Sequence, residues 1–264
     1  MLLENKNAVI YGAGGAIGGA VARAFALEGA RVFLTGRHLA SVEKVAREII
    51  AAGGIVETAQ VDALDEQAVE RHASAVAERT GSIDISFNAI TAVPQPGTQG
   101  IPLADLSAEA FTAPVTAYIR SHFLTARAAA RRMVRKRSGV ILMHTPEPAR
   151  LGAALVGGMG PAWAAMEALN RNLSAEFGSQ GVRAVCLRST GLPETHTIEI
   201  VFGLHAKAMG ITREQFQGFV ESMTHRKRSS TLSEVANAAV FLASDKASGM
   251  TGTVVNLTGG MIVD

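Results

Sequence analysis

One cysteine, Cys186, stands in the whole chain, so no internal disulfide can form, as suits a reducing compartment. It lies in the largely apolar run 182–187, where a thiol reads as a buried bystander rather than a nucleophile. Aromatic residues are scarce: the only tyrosines are Tyr11 and Tyr118, the only tryptophan is Trp163, and no lysine occurs between Lys136 and Lys207. These scarcities limit which side chains could move a proton. No run reaches ~18 uncharged apolar residues, and residues 1–7 lack a basic segment followed by an apolar core, so neither a membrane span nor a secretory leader is expected. Charge of neither sign dominates, at 25 Lys plus Arg against 23 Asp plus Glu, which gives no whole-molecule attraction to nucleic acid or membrane. The basic runs 131–137 and 225–228 read as solvated helix ends. A cytoplasmic protein is expected, with neither a nucleic-acid partner nor a metal site.

Glycine, by contrast, is concentrated where it matters. Residues 12–19 hold five glycines (Gly12, Gly14, Gly15, Gly18 and Gly19) between the apolar run 8–10 and a pattern in which Ile17, Val21, Ala24 and Phe25 recur at helical spacing. Strand, glycine turn and helix in succession make an anion site. Glycine permits close backbone approach, and the new helix presents unpaired N–H groups and its positive dipole end. The expected guest is a dinucleotide pyrophosphate, although the spacing departs from G-x-G-x-x-G.

Beyond the turn, strands at 31–35, 55–61 and 83–87 alternate with helices at 39–52 and 65–79. Such β-α alternation predicts a parallel sheet with right-handed crossovers, helices on both faces and the glycine turn at a topological switch point. A loop is expected over 91–105, marked by Pro94, Pro96, Gly97, Gly100 and Pro102, then a long helix over 111–135 with Pro114 as a kink or start. A fifth strand at 139–145 is cut off by Pro146-Glu147-Pro148; a helix at 162–177 and a sixth strand at 182–187 follow. Residues 190–224 read as an irregular lid, before a helix to Ala243 and a last strand at 252–257. The expectation is one Rossmann-like, doubly wound α/β domain over 1–264, with a seven-stranded parallel sheet flanked by helices.

The chain resembles the short-chain dehydrogenase/reductase family along nearly its whole length. The likeness is carried by the glycine turn, by Asp62 in Gln60-Val61-Asp62-Ala63, by Asp84-Ile85-Ser86-Phe87-Asn88-Ala89, by Thr190-Gly191 with Thr195, and by Ser233-Glu234-Val235-Ala236, Phe241-Leu242-Ala243-Ser244, Thr251-Gly252 and Gly259-Gly260. It implies a nicotinamide cofactor held by Gly12, Gly14, Gly15, Ile17, Gly18, Asp62, Asn88, Gly191 and Thr195, and assembly as a homodimer or homotetramer. Within the turn, Tyr11 replaces the family's usual threonine and Ala16 a glycine. The cofactor choice also has a physical basis. An acidic residue after the second strand would repel a 2′-phosphate, whereas Thr35-Gly36-Arg37 offers a guanidinium fork that pairs with it, so NADP(H) is expected over NAD(H).

The family's proton-transfer residues are missing. Alignment places Met159 at the tyrosine, Trp163 at the lysine, Pro146 at the serine and Tyr118 at the asparagine. Thioether and indole cannot take those roles. Three readings follow. Catalysis could pass to Tyr118 or to His144, which lies two residues before Pro146 on the same face of its strand, and either group could supply general acid catalysis. Alternatively, the chain is a catalytically silent NADP(H)-binding sensor or oligomerisation partner. In the third reading, Met159 and Trp163 line a pocket for an apolar small molecule, a carbonyl, alcohol or enone, beneath the lid.

Overall fold

In the computed structural model, which describes residues 1–91 and 97–263, Ala8 and Ile10 leave the first strand on one side and Val9 and Tyr11 on the other, and all four are buried. A strand apolar on both faces belongs inside a parallel sheet covered by helices. Strands β1 (Asn7–Tyr11), β2 (Arg31–Gly36), β3 (Val56–Gln60), β4 (Ile85–Asn88), β5 (Gly139–Pro146), β6 (Val182–Ser189) and β7 (Val254–Leu257) form one seven-stranded sheet in the order β3-β2-β1-β4-β5-β6-β7. Every pairing is parallel. The order reverses between β1 and β4, the switch point expected for the glycine turn.

The helices are α1 (Ala16–Leu27), α2 (Leu39–Ala51), α3 (Glu66–Thr80), α4 (Ala108–Lys136), α5 (Met159–Phe177), α6 (His196–Met209), α7 (Arg213–Ser222) and α8 (Leu232–Ala243). One apolar core packs α1, α2 and α8 against Ile10, Leu34, Phe87, Leu142 and Leu187; the other packs α3, α4 and α5 against Val9, Phe33, Ile141, Met143 and Cys186. Local chemistry sets the helix starts. Asp65 accepts from the N–H groups of Gln67 and Ala68 to cap α3, and Thr231 with Glu234 forms a capping box for α8.

Three expectations need correction. Residues 190–224 are not irregular: Thr195 caps α6, Gly210 at φ +67° ends it, and a Thr212–Gln215 capping box starts α7. Their apolar sides, Phe202, Ala206, Phe216 and Val220, close on each other in a small separate core. Helix α5 begins at Met159, not 162, because Pro161 falls in its first turn, where the missing N–H costs no hydrogen bond. The basic run 131–137 is more than a solvated end, since Arg132 reaches Glu70 at 2.8 Å and the Ser74 hydroxyl at 2.7 Å, tying α4 to α3. Pro94 and Pro96 of the expected loop lie outside the described residues, and Pro114 sits in the second turn of α4. No helix among the described residues is long and apolar enough to cross a membrane.

Candidate functional site at the carboxyl edge of the sheet

The glycine turn leaves β1 with Gly12 at φ +75°, and a Cβ there would stand 2.8 Å from the carbonyl oxygen of Ala89 after β4. Gly18 is as constrained: its Cβ would lie 2.4 Å from the Gly12 carbonyl oxygen. The first turn of α1 is thereby drawn against the strand end. Gly15 occupies the N-cap with its own N–H given to the Gly12 carbonyl, and no side chain among the described residues caps the helix, so the first-turn N–H groups beside Ile17 and Gly18 are open to an anion. These features fit a dinucleotide pyrophosphate.

On one flank of the turn are the two residues expected at the adenosine end. Arg37 follows β2 directly, is exposed, and has no partner for its guanidinium among the described residues; its backbone carbonyl accepts from Gln60 Nε2 at 3.0 Å. Asp62, two residues beyond β3, is exposed too, with Oδ1 accepting the Leu64 N–H at 2.9 Å and Oδ2 unengaged among the described residues. The flanking helix cap is Asp65, not Asp62.

On the other flank the ends of β4, β5 and β6 come together. Asn88 is buried; its Nδ2 donates to Thr125 Oγ1 at 2.8 Å and its Oδ1 accepts the Ile90 N–H at 2.9 Å, which pins the strand end to α4. Gly191 passes so close to Phe202 that a Cβ would meet its ring at 3.0 Å. The Thr195 hydroxyl donates to the Leu192 carbonyl at 2.9 Å and accepts from Ile198 N–H.

Of the four positions that the resemblance aligns with the family's proton-transfer residues, three fall together. Tyr118, Met159 and Trp163 are buried in one apolar cluster with Val156, Ala162 and Met166, and Trp163 meets Tyr118 edge-on at 6.2 Å between ring centroids. Tyr118 also stacks on His122, 6.1 Å away. His144 lies 2.8 Å from Ser189 Oγ, and the Ser189 hydroxyl hydrogen goes to the Thr190 carbonyl. With the Ser189 hydrogen on that carbonyl, the contact is met by the tautomer that carries its hydrogen on Nε2. Burial, reinforced by repulsion from His122, lowers the His144 pKa to about 4, so the ring is neutral near pH 7. A neutral ring is a weak acid.

Two groups escaped the sequence reading. Glu167 of α5 and Arg188 of β6 form a buried ion pair, with the Thr145 hydroxyl donating to Glu167 Oε1 at 2.9 Å. Glu147 opens the 3₁₀ turn Glu147–Ala149 just past β5, and the sequence marked it only as part of a strand stop. Its Oε2 is out of reach of solvent with no partner among the described residues, and the nearby backbone of Gly191 and of Glu147 itself favours the charged form. Burial outweighs that backbone contribution and pushes its pKa up to about 7. A carboxylate directly after Pro146, the position the resemblance aligns with the family's serine, was the available signal. Cys186 is fully buried, and burial pushes its thiol up to about 12, in keeping with a bystander.

Comparison with known proteins accords with this geometry. A family model described as enoyl-(acyl carrier protein) reductase matches residues 12–262. The chain is 30% identical over 260 residues to an uncharacterized oxidoreductase, YxbG, of Bacillus subtilis (98% of this chain, 92% of the other). It is also 30% identical over 274 residues to L-rhamnose 1-dehydrogenase (NAD(P)(+)) of Azotobacter vinelandii (100% and 99%). The crystal structure of sorbitol-6-phosphate 2-dehydrogenase SrlD from Erwinia amylovora shares the fold at a TM-score of 0.90, with 24% identity across 97% of this chain and 100% of that one. Sheet order, glycine turn and near-complete coverage agree, and the chain belongs to the short-chain dehydrogenase/reductase family of oxidoreductases.

Proposed function

We propose that this chain is an NADP(H)-dependent oxidoreductase acting on a small apolar carbonyl compound, the corresponding alcohol, or an enone, through a non-standard active site. When bound, the nicotinamide cofactor supplies the hydride chemistry. The chain's own residues bind and orient. The observation that carries the NADP(H) preference is the unpartnered Arg37 guanidinium at the end of β2, beside the open first turn of α1. A relative named for NAD(P)(+) leaves either cofactor open to the family, and Arg37 tips the choice towards the 2′-phosphate. Gly12, Gly14, Gly15, Ile17 and Gly18 cradle the pyrophosphate, Asp62 serves the adenosine end, and Asn88, Gly191 and Thr195 shape the far end.

An apolar ligand is favoured by the wall that Tyr118, Val156, Met159 and Trp163 build at the start of α5. Helices α6 and α7 act as its lid: His205 of α6 hydrogen-bonds Gln99 of the loop after β4 at 3.3 Å, joining the two segments that would cover the pocket. Assembly into a dimer or tetramer belongs to the same reading, supported by exposed Phe123 on α4 and the half-buried edge strand β7.

The test is a titration of purified protein with NADPH, reading energy transfer from Trp163, followed by a panel of aldehydes, ketones and enones. Binding with turnover supports the reading. Absence of NADPH binding at high micromolar concentration refutes it, and binding without any turnover reduces it to a cofactor-binding protein.

A further inference from the structure

We infer that the cleft at the carboxyl end of β7 is a binding site for the phosphate group of a small organic molecule, separate from the phosphates of the cofactor. The inference goes beyond the oxidoreductase reading and does not depend on it.

Position comes first. Leu257, the last residue of β7, pairs with Ser189, the last of β6, so the cleft opens at the same sheet edge as the candidate site. It encloses about 530 Å³, a small-molecule volume rather than that of a bare ion. Its walls come from the segment 226–230 between α7 and α8, from Glu234 and Asn237 one turn apart on α8, and from the chain beyond β7 at Gly259 and Gly260. Strand β7 lies four places along the sheet from β1 and five from β2. At ~4.8 Å per strand, the cleft is ~20 Å from the glycine turn and farther still from Arg37. A phosphate held here is not one of the cofactor's.

Hydrogen bonding comes next. Glu234, the carboxylate of the cleft, is fully used: Oε1 accepts from Arg226 Nη1 at 2.8 Å and from Arg228 Nη2, and Oε2 accepts from Arg228 Nη1 and the Thr231 N–H, both at 3.0 Å. The hydroxyls are spent elsewhere, Ser229 donating to Glu221 of α7 at 3.1 Å and Ser230 to the Leu257 carbonyl. Asn256 is spent too, on the Ile262 carbonyl and on Thr258. Left without partners among the described residues are Nε and Nη2 of Arg226, Nε of Arg228, the Asn237 side-chain amide, and the N–H groups of Gly259 and Gly260. Open donors therefore outnumber open acceptors.

Charge points the same way. Two guanidinium groups against one carboxylate leave the walls at a net +1. A guanidinium edge matches phosphate oxygens in plane, and a phosphate monoester brings three acceptor oxygens and nearly two negative charges at pH 7. A carboxylate would answer fewer of these donors with less charge. Leu257 and Ile262 supply an apolar stretch of wall for the organic part of the ligand.

The test titrates inorganic phosphate into the full-length protein labelled with nitrogen-15 at arginine. The Nε–H signals are assigned by their loss in Arg226→Gln, Arg228→Gln and Arg37→Gln. Arg226 and Arg228 should shift together and saturably at millimolar phosphate, and acetate at equal ionic strength should shift them less. Arg37 reports phosphate taken up at the glycine turn, so the two sites are read apart. Asn237 is exposed and makes no hydrogen bond among the described residues, so Asn237→Asp should keep the thermal midpoint while cancelling the net charge of the cleft. It should weaken phosphate binding about tenfold or more. No saturable shift at Arg226 and Arg228, as when another copy of the chain covers the cleft, would overturn the site, and so would equal affinity in Asn237→Asp. Acetate binding as tightly as phosphate would overturn the phosphate preference. Failure of NADPH to bind would strike the oxidoreductase reading and leave this site standing.

Discussion

Arg188 holds Glu167 with two parallel contacts, Nε to Oε1 at 2.8 Å and Nη2 to Oε2 at 2.6 Å, and both side chains are under one-tenth exposed (5% and 7%). The pair joins β6 to α5 beneath the site, and Thr145 adds a third bond from β5. A buried pair contributes little over an apolar isostere, but removing one partner strands the other's charge. Arg188→Met should therefore destabilise by about 3–5 kcal/mol, and the double variant Arg188→Met/Glu167→Leu should recover most of it. Urea midpoints of wild type, single and double variants check this; a double variant no better than the single would show that the loss is not stranded charge.

That pair also marks the limit of what the sequence discloses. The alternation of strands and helices was legible because apolar runs such as 8–10 and 139–145, punctuated by glycine and proline, report local burial directly. The close approach of Gly12 and Gly18 was legible because it depends on position along one strand-turn-helix unit. Glu147 and Arg188 were not. Arg188 takes its character from Glu167 on α5 and Glu147 from its burial past the end of β5, and nothing adjacent in sequence announces either. Helices α6 and α7 were hidden for a different reason: they pack mainly on each other, and their short apolar stripes, Phe202 with Ala206 and Phe216 with Val220, are weak periodic signals.

Arg37→Gln should separate the two cofactors. An exposed guanidinium with no protein partner has nothing to lose but its ligand. A charge-assisted bond to the 2′-phosphate is worth about 1.5–3 kcal/mol, so NADPH affinity should fall roughly 10- to 150-fold while NADH affinity stays within about threefold. Fluorescence titration with each cofactor is the measurement. Equal losses for both would mean that Arg37 supports the turn rather than reading the phosphate.

His122 and His144 should make the fold acid-sensitive. Burial lowers both to about 4, with the Tyr118 carbonyl partly opposing the effect at His122 and the charge of His122 adding to it at His144. Each is neutral when folded and titrates near 6.5 when unfolded, so unfolding takes up protons. Their contribution is fully present above pH ~6.5 and is lost as pH falls towards 4. His122, whose Nε2 is buried without a partner among the described residues, is the cleaner probe. In His122→Leu the drop in unfolding free energy between pH 7 and pH 4.5 should shrink by on the order of 2 kcal/mol. An unchanged pH slope, measured by urea denaturation, would place the acid sensitivity elsewhere.

Trp163 should prove to be packing rather than chemistry. Its indole fills the start of α5 between Tyr118, Met159 and Met166, and a side chain of that volume cannot be deleted without leaving a cavity. Trp163→Ala should cost about 3–5 kcal/mol. Phenylalanine keeps an aromatic edge towards Tyr118 at smaller volume, so Trp163→Phe should cost distinctly less, about 1–2 kcal/mol. Trp163→Lys puts an ammonium among those same apolar side chains with no carboxylate in the cluster to meet it, and should destabilise at least as much as alanine at pH 7. Raising the pH should then restore part of the loss, because the buried amine folds more readily when neutral. Thermal unfolding of the three variants at pH 7 and pH 9.5 gives the ranking. A lysine variant as stable as wild type, with undiminished NADPH binding, would show that the family's polar corner survives beneath the tryptophan.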